Sequence, residues 1–124
     1  MKLNHINIPV EDVAATRQFF EQYFDFKCLE VKGDNALAIL KGTDNFVLVL
    51  MSKAFNKNAP ITYPDAFHVG FLVDNDEQVN SAYQRLITGD LVIDHPPGKI
   101  RGQYGFYFKA PGDLLVEVST HLTE

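Results

Sequence analysis

The chain has 124 residues, of which 46% are hydrophobic and 22% are charged, a composition typical of globular domains. This length predicts one domain with one core. The net charge of −5 argues against nucleic acid as a partner. No apolar run reaches the roughly 18 residues of a membrane span, and the N-terminus passes into a strand pattern without a signal peptide. The lone Cys28 excludes an internal disulfide and indicates a reducing cytoplasm.

The first half of the sequence predicts the element order β-α-β-β-β. Pro9 is expected near the end of the first strand because proline cannot donate to a sheet ladder. Asp12 is a suitable N-cap for the helix that follows. Asp34 lies in a predicted turn between two short strands. The elements are a strand at residues 3–10, a helix at 13–23, and strands at 27–32, 36–40 and 46–51.

The second half repeats this order after a polar segment at residues 53–64, which predicts a linker. Asn75 is the expected N-cap of the second helix. Pro96 and Pro97 predict a loop. The elements of this half are a strand at 67–73, a helix ending near 87, a strand around 91–93, and strands at 103–109 and 114–119.

An internal duplication relates the two halves. His5 and His68 begin matching strand patterns at an offset of 63 residues. Alignment of the last strands on their apolar pattern places Val49 at the position equivalent to Glu117. Because repeated units change the whole interpretation of a chain, we expect two similar modules that each bury one helix against a small mixed sheet.

Glu117 lies among apolar residues of its predicted strand, and burial of an ionised carboxylate is costly without a cationic partner. Lys109 or Arg101 would serve as a structural ion pair. The alternative is a metal shared with His5 and His68. Two imidazoles and one carboxylate leave up to about three positions open on an octahedral ion, and this donor set suits Fe²⁺, Mn²⁺, Ni²⁺, Co²⁺ or Zn²⁺.

Three motifs carry a resemblance to a known family: LNHINIPVED at residues 3–12, FHVGF at 67–71 and GFYFKAPGDLLVE at 105–117. In this order they resemble the vicinal oxygen chelate superfamily of glyoxalases, extradiol dioxygenases, fosfomycin-resistance enzymes and bleomycin-resistance proteins. The resemblance implies an α+β fold in which two tandem βαβββ modules form a curved mixed sheet with a cleft. The predicted single domain spans residues 1–124, with module one at about 1–52 and module two at about 65–120.

The resemblance also implies a divalent metal bound by His5, His68 and Glu117. The implied function is a glyoxalase-type or dioxygenase-type enzyme that chelates a small substrate through vicinal oxygens. The alternative is a metal-free protein that sequesters a drug, as bleomycin-resistance proteins do. Glyoxalase I usually has a fourth ligand where this chain has Val49. Short two-module chains of this superfamily usually form homodimers, so we expect one here.

Further residues are expected to line the substrate site. Glu117 and Tyr107 are the catalytic candidates, since a tyrosine at this position faces the substrate in fosfomycin enzymes. Tyr107 would otherwise pack with neighbouring phenylalanines. Asn7 shares a strand face with His5, and Arg101 would meet an anionic substrate. Val49 completes the predicted substrate-binding set. Extradiol dioxygenases use an extra histidine as an acid-base group, and the resemblance makes His95 the candidate for that role.

Overall fold

The computed structural model describes residues 1–55 and 61–121, and the chain divides into two units, Met1–Thr62 and Tyr63–Glu124. Each unit contains one four-stranded mixed sheet and one α-helix in the order β-α-β-β-β. The predicted α+β fold of tandem βαβββ modules is therefore confirmed. Part of the predicted linker, residues 56–60, lies outside the described residues.

In the first unit, β1 runs parallel to β4, and β3 and β2 complete the sheet in the order β1-β4-β3-β2. The Asp12 carboxylate accepts a hydrogen bond from the Ala15 amide and so caps the helix as predicted. The elements are β1 (His5–Pro9), α1 (Val13–Phe24), β2 (Lys27–Lys32), β3 (Leu37–Lys41) and β4 (Val47–Met51), followed by a 3-10 turn at Lys53–Phe55.

In the second unit, β5 runs parallel to β8, and the sheet order is β5-β8-β7-β6. Asn75 caps its helix by accepting a hydrogen bond from the Gln78 amide, as predicted. The elements are β5 (His68–Val73), α2 (Asp76–Thr88), β6 (Gly98–Ile100), β7 (Gln103–Lys109), a 3-10 turn at Pro111–Asp113, and β8 (Leu115–Thr120).

The strand registers of the two units are equivalent. Asn7 lies opposite Val49 in the β1–β4 pair, and Gly70 lies opposite Glu117 in the β5–β8 pair. The first strands keep the 63-residue offset that the sequence predicts, as Asn7 and Gly70 show, whereas the last strands are offset by 68 residues, as Val49 and Glu117 show. Val49 therefore occupies the position in the first unit that Glu117 occupies in the second.

The two faces of the second sheet differ in character. Alternate side chains point to opposite faces of a strand, so the residues of each face recur every second position. One face carries a buried apolar layer, to which α2 contributes Val79 and Leu86. The other face carries His68, Tyr107, Lys109 and Glu117, which alternate along their strands with the residues of the buried layer. The buried layer of the strands consists of Phe106, Phe108, Val116 and Val118.

The predicted strand around residues 91–93 is wrong. These residues are not in a strand, and Val92 is 85% exposed. The edge position of this sheet, beside β7, is instead taken by β6, within a stretch that was predicted to be a loop. Arg101 and Gly102 form a two-residue connection with φ values of 49° and 83°, the signature of a tight hairpin turn. This turn pairs Ile100 with Gln103 and thereby selects the residues before it as the strand.

Candidate metal centre and substrate site

His68 and Glu117 are brought together by the parallel pairing of β5 and β8. Glu117 lies opposite Gly70, two residues after His68 and on the same face of the sheet. His68 Nε2 is 3.4 Å from Glu117 Oε1, and the Glu117 side chain is only 15% exposed. Among the described residues, His68 lies within salt-bridge distance of this carboxylate, whereas Lys109 and Arg101 do not.

The hydrogen bond made by Nδ1 of His68 determines which ring nitrogen carries the proton in the neutral imidazole. Nδ1 lies 2.9 Å from the carbonyl oxygen of Ala66, which can only accept, so Nδ1 carries a proton. In the neutral imidazole, Nε2 then presents a lone pair to the carboxylate of Glu117. A histidine ring nitrogen and a carboxylate oxygen at this distance are two of the donor types that divalent metal ions take from proteins. The donor set therefore fits a divalent metal.

Two hydroxyl groups hold the Glu117 carboxylate, one on each oxygen. Tyr107 donates to Oε1 at 2.9 Å, and Ser119 donates to Oε2 at 3.0 Å. The Gln103 side-chain amide approaches Ser119 Oγ at 3.4 Å. The roles of Ser119 and Gln103 were not predicted from the sequence. Both had a period-two signal, because Ser119 lies two residues after Glu117 on β8 and Gln103 lies four residues before Tyr107 on β7.

Tyr107 faces the predicted site rather than the apolar layer. Its ring meets the His68 ring edge-to-face, with centroids 5.6 Å apart. Partial burial raises the pKa of its phenol, and the hydrogen bond to Glu117 and the negative charge of that carboxylate raise it further. The positive charge of Arg101 opposes these effects and lowers the pKa. The phenol therefore remains a protonated donor at neutral pH.

A cavity of about 310 Å³ adjoins Tyr107 in the second unit. His95 and Lys99 also line it, so the candidate acid-base histidine shares a cavity with the candidate catalytic tyrosine. Pro96 and Ile100 supply an apolar part of the wall. A cavity of this size and mixed polarity suits a small ligand.

The remaining predicted site residues lie in the first unit. His5 begins β1, and its Nδ1 lies 2.8 Å from the side-chain oxygen of Asn4, so each predicted histidine ligand engages a neighbouring oxygen through Nδ1. Asn7 donates to the sulfur of Met51 at 3.7 Å. Val49 is buried opposite Asn7.

The structure thus brings together His68, Tyr107 and Glu117 in one unit, with Arg101 close enough to affect Tyr107. His5 belongs to the other unit. Within either unit, over its described residues, no group of three His, Cys, Asp or Glu side chains is placed to hold a metal ion. The three-ligand centre, which draws on both units, stays a prediction.

Comparison with known proteins identifies the class to which this fold and site belong. The family model of the glyoxalase/bleomycin resistance protein/dioxygenase superfamily matches residues 2–118. The chain belongs to this superfamily, which confirms the resemblance drawn from the sequence motifs. No curated protein matches the chain.

Solved structures give the same result. A possible glyoxalase from Bacillus cereus is 38% identical, with 95% of this chain and 97% of that chain covered and a TM-score of 0.82. Lactoylglutathione lyase from Agrobacterium tumefaciens is 18% identical, with coverages of 96% and 92% and a TM-score of 0.76. The fosfomycin resistance protein FosX from Listeria monocytogenes, in a complex with Mn(II) and sulfate, is 16% identical, with coverages of 97% and 92% and a TM-score of 0.75. The last two likenesses concern the fold alone.

Among the helices of the described residues, neither has the length and apolar character needed to cross a bilayer.

Proposed function

We propose that the protein is a divalent-metal-dependent enzyme of the glyoxalase or dioxygenase type that binds a small substrate through two adjacent oxygen atoms. The observation that carries this proposal is the pairing of His68 Nε2 with Glu117 Oε1 at 3.4 Å. Nδ1 of the histidine is committed to a carbonyl oxygen, and hydroxyl donors meet both oxygens of the carboxylate. This arrangement places a carboxylate oxygen beside the second ring nitrogen of a histidine whose first ring nitrogen is fixed by a hydrogen bond, which is typical of metal ligand sets.

His68 and Glu117 would hold the ion together with His5, which the duplication places at the position equivalent to His68. The MnII complex of FosX supports a divalent ion in this superfamily. When bound, the ion would supply Lewis-acid stabilisation of negative charge on the substrate oxygens. Fe²⁺, Mn²⁺, Ni²⁺, Co²⁺ and Zn²⁺ all suit the donor set.

Tyr107 supplies a directed proton donor beside this centre. Its hydroxyl donates to Glu117 Oε1, and its raised pKa keeps it protonated at neutral pH. With 38% of its surface exposed, the side chain is able to turn its hydroxyl from Glu117 to a bound substrate oxygen. His95 lines the adjoining cavity and is the group proposed to move a proton there.

The proposed substrate contacts extend to Asn7, Val49 and Arg101. Arg101 lies in the turn between β6 and β7, and its charge acts on Tyr107, so it would favour an anionic substrate. We also propose that the chain acts in the cytoplasm as a homodimer, as members of this superfamily with two modules usually do. Light scattering coupled to size-exclusion chromatography tests the assembly.

Metal analysis of protein purified without chelator tests the proposed function. The wild type should carry about one divalent ion per chain, and the variants His5→Ala, His68→Ala and Glu117→Gln should lose it. His121→Ala is the matched control, because it removes an exposed histidine outside the proposed centre. Folded protein that carries no metal, even after incubation with each candidate ion, would contradict the proposal. Drug binding by that metal-free protein would favour sequestration instead.

A further inference from the structure

We infer that Ser119 is a positioning residue that determines which oxygen of Glu117 serves the metal. This inference rests on the proposed function and deepens it. Ser119 donates its hydroxyl proton to Oε2 at 3.0 Å, whereas Oε1 is the oxygen that lies 3.4 Å from His68 Nε2. Ser119 therefore occupies the distal oxygen and leaves the proximal one as the ligand atom.

Gln103 fixes the direction of this hydrogen bond. Its Nε2 lies 2.9 Å from the carbonyl oxygen of Thr120, which can only accept, so the atom facing Thr120 must be the amide nitrogen. The same nitrogen lies 3.4 Å from Ser119 Oγ and offers it a second proton. Since Ser119 Oγ accepts from Gln103, its own proton is available for Glu117. The chain of donors runs from Gln103 through Ser119 to the carboxylate.

The two hydroxyls on Glu117 have different environments and hence different roles. Ser119 is 5% exposed, so little water reaches its hydroxyl, and loss of the bond to Oε2 would leave a buried polar group poorly satisfied. Tyr107 is 38% exposed and is able to exchange its bond to Oε1 for another partner. Without Ser119, only the exchangeable hydrogen bond from Tyr107 would oppose rotation of the carboxylate and exchange of its two oxygens. Ser119 thus fixes the orientation of the carboxylate, while Tyr107 is able to transfer its hydrogen bond from Glu117 to the substrate.

Titration of the metal-free protein with Co²⁺, followed by visible absorption, tests this role. Ser119→Ala should weaken Co²⁺ binding about tenfold and change the absorption spectrum, because outer-shell partners orient metal ligands. Ser119→Thr keeps the hydroxyl and should bind Co²⁺ nearly as well as the wild type. Gln103→Met should weaken binding to a smaller degree. In the double variant Ser119→Ala/Gln103→Met, the effects should not add, because both residues act through one hydrogen bond.

Thr16→Val is the matched control, because Thr16 also has a buried hydroxyl that donates one hydrogen bond, to the Asp12 carbonyl oxygen at 2.7 Å in the other unit. It should lower the melting temperature without changing the Co²⁺ affinity or spectrum. If Ser119→Ala does not fold, Gln103→Met alone decides, since it leaves Ser119 in place.

Two failures are distinguishable. A wild-type protein that binds no Co²⁺ overturns both the proposed function and this inference. A wild type that binds Co²⁺, with Ser119→Ala or its substitute Gln103→Met binding it equally well, overturns the inference alone.

Discussion

Two glycines that border strand β8 should respond in opposite directions to the same substitution by alanine. Gly105 lies opposite Ser119 in the β7–β8 pair, and Gly70 lies opposite Glu117 in the β5–β8 pair. A Cβ on Gly105 would lie 2.3 Å from the carbonyl oxygen of Val118 and 2.7 Å from Ser119 Cβ. A Cβ on Gly70 would meet no atom within 4 Å among the described residues.

The sizes of the two effects follow from these distances. Because a carbonyl oxygen of the backbone cannot move aside alone, Gly105→Ala forces β7 and β8 apart and should cost about 3 kcal/mol, the upper end of the usual penalty for overpacking. Gly70→Ala meets no obstacle and restricts the unfolded chain, so it should stabilise the protein by about 0.5 kcal/mol. For a chain of this length, the two variants should differ in melting temperature by on the order of 10 °C.

Thermal unfolding followed by circular dichroism, with urea denaturation as a second measure, tests the pair. The two substitutions are chemically identical and flank the same strand, so each serves as the control of the other. A Gly105→Ala variant as stable as Gly70→Ala would show that β7 and β8 do not approach as closely as the structure indicates. The steric conflict expected at Gly105 would then be refuted.

Glu117→Gln should lower the pKa of Tyr107 toward its ordinary value, because the hydrogen bond and the negative charge of this carboxylate both raise that pKa. Arg101→Gln should raise the pKa of Tyr107 further, because the positive charge of Arg101 lowers it. Tyrosinate absorbance measures the pKa in both variants, and shifts of the same sign would contradict the assigned causes. The stability contributed by protonated Tyr107 should be complete below about pH 10 and lost as the pH rises through its raised pKa, a loss that Tyr107→Phe should abolish in alkaline unfolding experiments. Leu86→Ala should cost about 2–5 kcal/mol in urea denaturation, because Leu86 is fully buried on α2. Val92→Ala, at an exposed position, should change stability by less than about 0.5 kcal/mol, and equal losses in the two variants would contradict the assigned core.

The features that could be predicted from the sequence are those whose signals are local or repeated. Asp12 and Asn75 cap the two helices as predicted, because a cap depends on a side chain and amides three residues away. The equivalence of Val49 and Glu117 was also predictable, since the duplication imposes the same register on both units. These features require only short-range geometry and a comparison of the chain with itself.

The position of β6 was not predictable in the same way. Residues 91–93 have the apolar, β-branched character of a strand, whereas Gly98–Ile100 begins with a glycine and follows two prolines. The hairpin turn at Arg101 and Gly102 overrides this preference, because it fixes which residues can pair with β7. Strand propensity is weaker than the pairing that a tight turn enforces.

The amino-acid sequence by itself determined the two-module order, the helix caps, the superfamily, and the face on which His68, Tyr107 and Glu117 lie. Only the tertiary structure decided that Tyr107 donates to one oxygen of Glu117 and Ser119 to the other. It also decided that the side-chain amide of Gln103 donates to the Ser119 hydroxyl. The physical reason is that residues on one strand reveal their shared face through period two, whereas a hydrogen bond between strands depends on register and rotamer. Those are set by the turn and by packing across the whole sheet.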